Sequence, residues 1–126
     1  MRPKAGAILG LAAIILALGS AADAAAPRAT VLHVSSHLEK NARISLDGGR
    51  AATAPGYGST SLATVSGHHV LKVTTAAGVT YSADLDLKAA DLMSWHGRGY
   101  WCVNLLERSL ETYSKDECQE DVTDAG

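Results

Sequence analysis

Ten consecutive residues, Val79-Thr80-Tyr81-Ser82-Ala83-Asp84-Leu85-Asp86-Leu87-Lys88, alternate between apolar and polar without a break. A period of two is that of a β-strand with one face buried and the other in water; a helix repeats every 3.6 residues and would scatter the same side chains around its axis. Val79, Tyr81, Ala83, Leu85 and Leu87 therefore point to a core. Thr80, Ser82, Asp84, Asp86 and Lys88 point to solvent, as in an antiparallel sheet wet on one side.

The same period recurs along the chain. Ala42-Arg43-Ile44-Ser45-Leu46-Asp47 alternates equally well and runs into Asp47-Gly48-Gly49, a strong turn signal. Thr30–Ser35 and Ser59–Val65 read as further strands. Ser66-Gly67 turns the chain into His69–Thr75, where His69, Leu71 and Val73 share a face. Tyr100–Leu106 is the last strand. Ala51–Gly58 reads as loop because it holds Pro55 and two glycines, and Lys88–Trp95 as a single helical turn or a loop. Leu106, Leu110 and Tyr113, with Glu111 and Lys115, favour a short helix, with a hairpin arm as the alternative. Six or seven short strands with turns between them, and no βα alternation, give an all-β fold, a small antiparallel β-sandwich with a short C-terminal helix or hairpin arm.

The start of the chain sets its destination. Arg2 and Lys4 precede an uncharged run, Ala5–Leu18, and Ala22-Asp23-Ala24 fits the A-x-A pattern of a cleavage site. This is the pattern of a secretory signal peptide over residues 1–24, too short in its apolar part to span a bilayer. A linker over 25–29, a domain over 30–118 and an acidic flexible tail over 119–126 complete the expected organisation. An alanine-rich signal suits a bacterium and a periplasmic or secreted protein with no membrane span after cleavage. About 100 residues remain, enough for one domain. The 11 Lys and Arg are outnumbered by 13 Asp and Glu, and none of the cations cluster. Nucleic-acid binding needs clustered cations to neutralise phosphates, so it is not expected.

Three groups of residues bear chemistry. Cys102 and Cys118 are the only cysteines. In an oxidising compartment two cysteines most often pair, so a structural disulfide is expected over a redox pair, free thiols or a bridge between chains. His33, His37, His68 and His69 are the candidates for metal binding, although no finger spacing and no H-E-x-x-H motif occurs. Trp95, Arg98, Tyr100 and Trp101 fall within seven positions. Tyr100 and Trp101 must face opposite sides of their strand, so one ring is in the core and the other is outside, either covered by the 106–118 segment or exposed and able to stack on a sugar or a peptide. No nucleophile elbow and no EF-hand loop is present, no cofactor is implied, and catalysis is not expected.

Ile44-Ser45-Leu46-Asp47-Gly48 resembles the strand-then-DG opening of PEGA-type domains. Gly67-His68-His69-Val70-Leu71-Lys72-Val73 resembles their G-x-H-x-(hydrophobic)-x-V strand, and Gly78 sits at the following turn. The resemblance covers residues 30–87. The P-E-G-A run itself is absent, and Trp95–Cys118 has no counterpart. What the resemblance implies is an Ig-like sandwich on an exported, non-enzymatic protein. The expected function is a non-catalytic cell-envelope interaction or structural module whose partner is a protein or polymer. The alternatives are a small-ligand or carbohydrate binder using the patch at Trp95–Trp101 and a periplasmic metal binder using the histidines.

Overall fold

The computed structural model describes residues 29–125. The expected signal peptide and most of the linker lie outside the described residues. Nine strands and one α-helix follow in order: β1 (Ala29–Ser36), β2 (Ala42–Leu46), β3 (Ala52–Ala54), β4 (Ser59–Ala63), β5 (Gly67–Thr74), β6 (Thr80–Leu87), β7 (Met93–Trp95), β8 (Arg98–Leu105), β9 (Leu110–Thr112) and α1 (Lys115–Ala125).

The strands form two sheets. One has the order β4-β1-β8-β7, with β9 also pairing to β8; the other has the order β3-β2-β5-β6. All pairs are antiparallel but one. β1 runs parallel to β8, with Leu32 opposite Trp101 and Val34 opposite Val103. The long alternating segment takes its expected place as β6, paired to β5 along its whole length.

Alternation puts one face of each sheet into a shared core. Leu32, Val34, Trp101, Val103 and Leu105 from the first sheet pack with Ile44, Leu71, Val73, Leu85 and Leu87 from the second. Burying each Leu-sized side chain contributes about 1.5–3 kcal/mol. Tyr81, on the inward face of β6, reaches across to the β8–β9 turn. Its hydroxyl lies 2.8 Å from the carbonyl oxygens of Leu106 and Ser109 and so ties the edge of one sheet to the other.

The first sheet also has a covered outer face. There Met93, Cys102, Cys118 and Val122 form a second, smaller cluster, with Tyr100 and Tyr113 against it. α1 supplies Cys118 and Val122, four residues apart and so on one side of the helix. Its start is fixed reciprocally. The Ser114 N–H donates to Glu117 Oε1 at 3.0 Å, and the Glu117 N–H donates to Ser114 Oγ at 3.2 Å. This is a capping box, and these bonds hold the Glu117 carboxyl below its ordinary range.

Several expectations need correction. Among the described residues there are nine strands, not six or seven, because β3 lies inside the expected loop 51–58, β7 follows a single 3₁₀ turn at Ala89–Asp91, and β9 forms the hairpin arm after Leu106. Three-residue strands carry too little periodicity to be read. Residues 119–125, expected as a flexible tail, belong to α1, and Val122 among them is buried. No helix among the described residues is long and apolar enough to cross a membrane.

Candidate functional site

Cys102 and Cys118 form the expected disulfide, with Cα atoms 5.3 Å apart, inside normal bridging range. Cys102 sits on the outer face of β8 and Cys118 at the end of the first turn of α1. The bond clamps the helix flat onto the sheet, and it fits a non-cytoplasmic protein.

The four residues of the expected aromatic patch are divided between three environments. Trp101 is 6% exposed and lies in the core, its Nε1–H donating to the Lys88 carbonyl at 2.9 Å. Tyr100, on the opposite face, is half-buried against the cluster under α1 and meets His33 edge to face. Trp95 and Arg98 remain exposed at the β7–β8 hairpin, where His96 (φ 52°) and Gly97 (φ 76°) make the two-residue turn. The ring of Trp95 leans on His96, with centroids 4.4 Å apart. A four-residue patch is therefore not formed, because strand alternation sends one ring to each side.

The four histidines are also dispersed. His33 is buried between β1 and α1, His37 is exposed just beyond β1, and His68 lies 3.5 Å from Asp84. Among the described residues no three His, Cys, Asp or Glu side chains are placed to share a metal ion.

His69 has a different setting. Its Nδ1 meets Asp47 Oδ2, and its Nε2 meets the Val65 carbonyl at 2.7 Å. Both partners are acceptors, so the geometry is satisfied in full only by the imidazolium, which donates from both nitrogens. The Asp47 hydrogen bond accordingly raises the His69 pKa, and the same bond, with the Val70 N–H, lowers that of Asp47. The pair clasps the β2–β3 turn to the β4–β5 turn. The stability due to His69 is complete below its ordinary pKa of 6.5 and is lost as pH rises through the raised value. That due to Asp47 is complete above 3.8 and is lost as pH falls through the lowered value. The stability difference between the wild type and Asp47→Asn should thus be largest near pH 5 and narrow on both sides, as measured by urea unfolding across pH. A difference that stays flat with pH contradicts the clasp.

The β6 edge of the second sheet is open. The Val70 N–H donates to Asp47 Oδ1, and its carbonyl accepts from the Asp47 N–H. Even-numbered residues of β5 therefore turn their peptide groups toward β2, and odd-numbered ones toward β6. The register pairs Leu71 with Ala83 and His69 with Leu85, so the odd-numbered residues of β6 complete that ladder. The N–H groups of Thr80, Ser82, Asp84 and Asp86 point the other way. No backbone partner meets them among the described residues.

Tyr57 is the other conspicuous residue. It is 72% exposed and has φ 52°, although it is neither Gly nor Asn. The left-handed conformation costs a side-chain-bearing residue about 1–2 kcal/mol. It is enforced by the Tyr57 N–H, which donates to the Leu38 carbonyl, and by Gly56, where an added Cβ would fall 2.2 Å from the Glu39 carbonyl oxygen. Tyr57→Gly is expected to stabilise the fold by up to about 1 kcal/mol in chemical unfolding, because glycine relieves the strain and an exposed ring packs little. Loss of stability would mean that the ring has a structural role.

Sequence reasoning placed Tyr57 in a loop and Asp121 in a solvated tail. The signals available were Ser114-x-x-Glu117, which marks a helix start, and the Cys118/Val122 spacing that follows it. The chain matches no protein-family model, and comparison with curated proteins finds no match.

Proposed function

We propose that the chain is a non-catalytic, exported module of the bacterial cell envelope, periplasmic or secreted. In this reading it is a small Ig-like β-sandwich of the kind that PEGA-type domains form, and it binds a protein partner by accepting a strand at the edge of β6. The observation that carries it is the row of free N–H groups at Thr80, Ser82, Asp84 and Asp86. An eight-residue edge of this kind offers a partner a ready ladder of main-chain hydrogen bonds.

The side chains select the partner. Asp84 and Asp86 stand on the wet face of the edge strand. Pairing of two β6 edges would crowd four carboxylates, Asp84 and Asp86 of each copy, onto one short ladder, which disfavours a second copy of this chain. A partner strand bearing Lys or Arg opposite them is favoured. Ser82→Pro tests the reading, because it deletes one outward N–H and leaves the β5–β6 ladder intact. With a photo-crosslinker at Thr80 in exporting cells, the wild type should yield a discrete adduct that falls at least tenfold in the Ser82→Pro variant, with the melting temperature nearly unchanged. An adduct insensitive to Ser82→Pro would exclude strand addition at this edge.

A further inference from the structure

A second feature lies on the other sheet, away from β6. At the end of β1, between the Tyr57 loop and α1, an open cleft of about 450 Å³ is walled by Tyr57 and Tyr113 and by Asp121 and Asp124. That volume is within the range of small-ligand sites. The two aspartates are three residues apart and share one side of the helix. No Lys or Arg lines the cleft, and His37 is its one basic residue.

Asp121 is set from behind. The Nε2 of His33, a buried residue, lies 3.0 Å from Asp121 Oδ2. The two atoms are closed to solvent and have no partner besides each other among the described residues. The exposed part of the Asp121 side chain, 30% of it, is therefore not Oδ2 and leaves Oδ1 as the oxygen free to meet the cleft. Tyr113 stands on the facing wall. Burial raises its phenol pKa, a Ser35 hydrogen bond opposes the rise, and the charges of Asp121, Glu111 and Glu117 add to it.

We infer that this cleft binds an organic cation, an alkylammonium or guanidinium group, held between Tyr57 and Tyr113 and paired with Asp121 and Asp124. Carboxylates supply charge-assisted hydrogen bonds, and tyrosine faces attract a cation. The fit to a neutral sugar is poorer, because the polar groups at the floor are already engaged. Ser35 Oγ donates within reach of the Val103 carbonyl and Asn104 Oδ1, and Asn104 Nδ2 donates to Glu111. The strained, solvent-facing Tyr57 acquires a role as a wall of the site.

Titration of the isotope-labelled protein with spermidine, with a trilysine peptide and with potassium chloride at matched ionic strength tests this by amide shifts. Spermidine or trilysine should shift residues 35–37, 57–59, 113 and 121–124 saturably, and potassium chloride should not. Saturation by trilysine identifies a polypeptide side chain as an acceptable source; saturation by spermidine alone identifies a free polyamine. Asp124→Asn and Tyr57→Gly, both changes at exposed positions, should each weaken binding at least fivefold while the remaining spectrum is retained. Shifts equal to those in potassium chloride, or affinity unchanged in both variants, would overturn the inference.

Discussion

Trp101→Ala is expected to destabilise the domain by about 3–5 kcal/mol, the largest effect of any single substitution considered. The indole lies between the two sheets among Leu32, Val103 and the β6 leucines, so its loss opens a cavity that strands paired on both sides are poorly able to close. The Lys88 carbonyl, which accepts from Nε1–H, would lose its donor as well. Total stabilities of small domains are about 5–15 kcal/mol, and each kcal/mol shifts the midpoint of a domain this size by about 4–8 °C. A fall of at least 12 °C in thermal unfolding should follow, with partial unfolding at room temperature if the starting stability is low. Trp95→Ala is the control: at 36% exposure on a hairpin tip it should cost less than about 1 kcal/mol. Comparable losses from the two would contradict the assignment of Trp101 to the core and Trp95 to the surface.

Removal of the disulfide by the double change Cys102→Ala and Cys118→Ala should cost about 3 kcal/mol. The bond joins positions 16 apart, and closing a loop of that size removes that much entropy from the unfolded chain. The structural consequence is local. Apart from the bond, α1 is held by Val122 packed with Met93 and the rings of Tyr100 and Tyr113, a much smaller cluster than the main core, and by the contact of Asp121 with His33. Amides of α1 should therefore exchange with solvent far faster than those of β1 and β8 once the bond is absent. A melting temperature unchanged by the double substitution would show that the helix is held by packing alone.

Legibility followed the length of the pattern. β6 and β2 were readable because their alternation is uninterrupted and each inward residue is apolar. Leu85 and Ile44 are buried as the period requires. β3, β7 and β9 have three residues each, too few to show a period, and form only because a long neighbour offers them a ladder. The parallel pairing of β1 with β8 joins segments about 70 residues apart, and nothing local to either specifies it. The expected short C-terminal helix lies further along than its pattern at Leu106–Tyr113 suggested, at Lys115–Ala125, because eight of its eleven residues are polar or charged. Its apolar side is reduced mainly to Cys118 and Val122, and its stability comes from a cap and a covalent bond.

The candidate sites were legible only in parts. The pairing of Cys102 with Cys118 follows from compartment and number. That Tyr100 and Trp101 face opposite ways follows from the strand, but which ring is inward depends on the register. The open edge of β6 and the cleft beside Asp121 are tertiary facts. They depend on which strand ends a sheet and on where a clamped helix brings its acids.

Hydrogen exchange of the β6 amides in the complex recovered by cross-linking tests strand addition most directly. In the free protein the N–H groups of Thr80, Ser82, Asp84 and Asp86 should exchange quickly and those of Tyr81, Ala83 and Leu85 slowly. On binding, the first four should become protected by tenfold or more while the others change little. Protection that falls elsewhere, with these four still exchanging freely, would contradict binding by strand addition at β6.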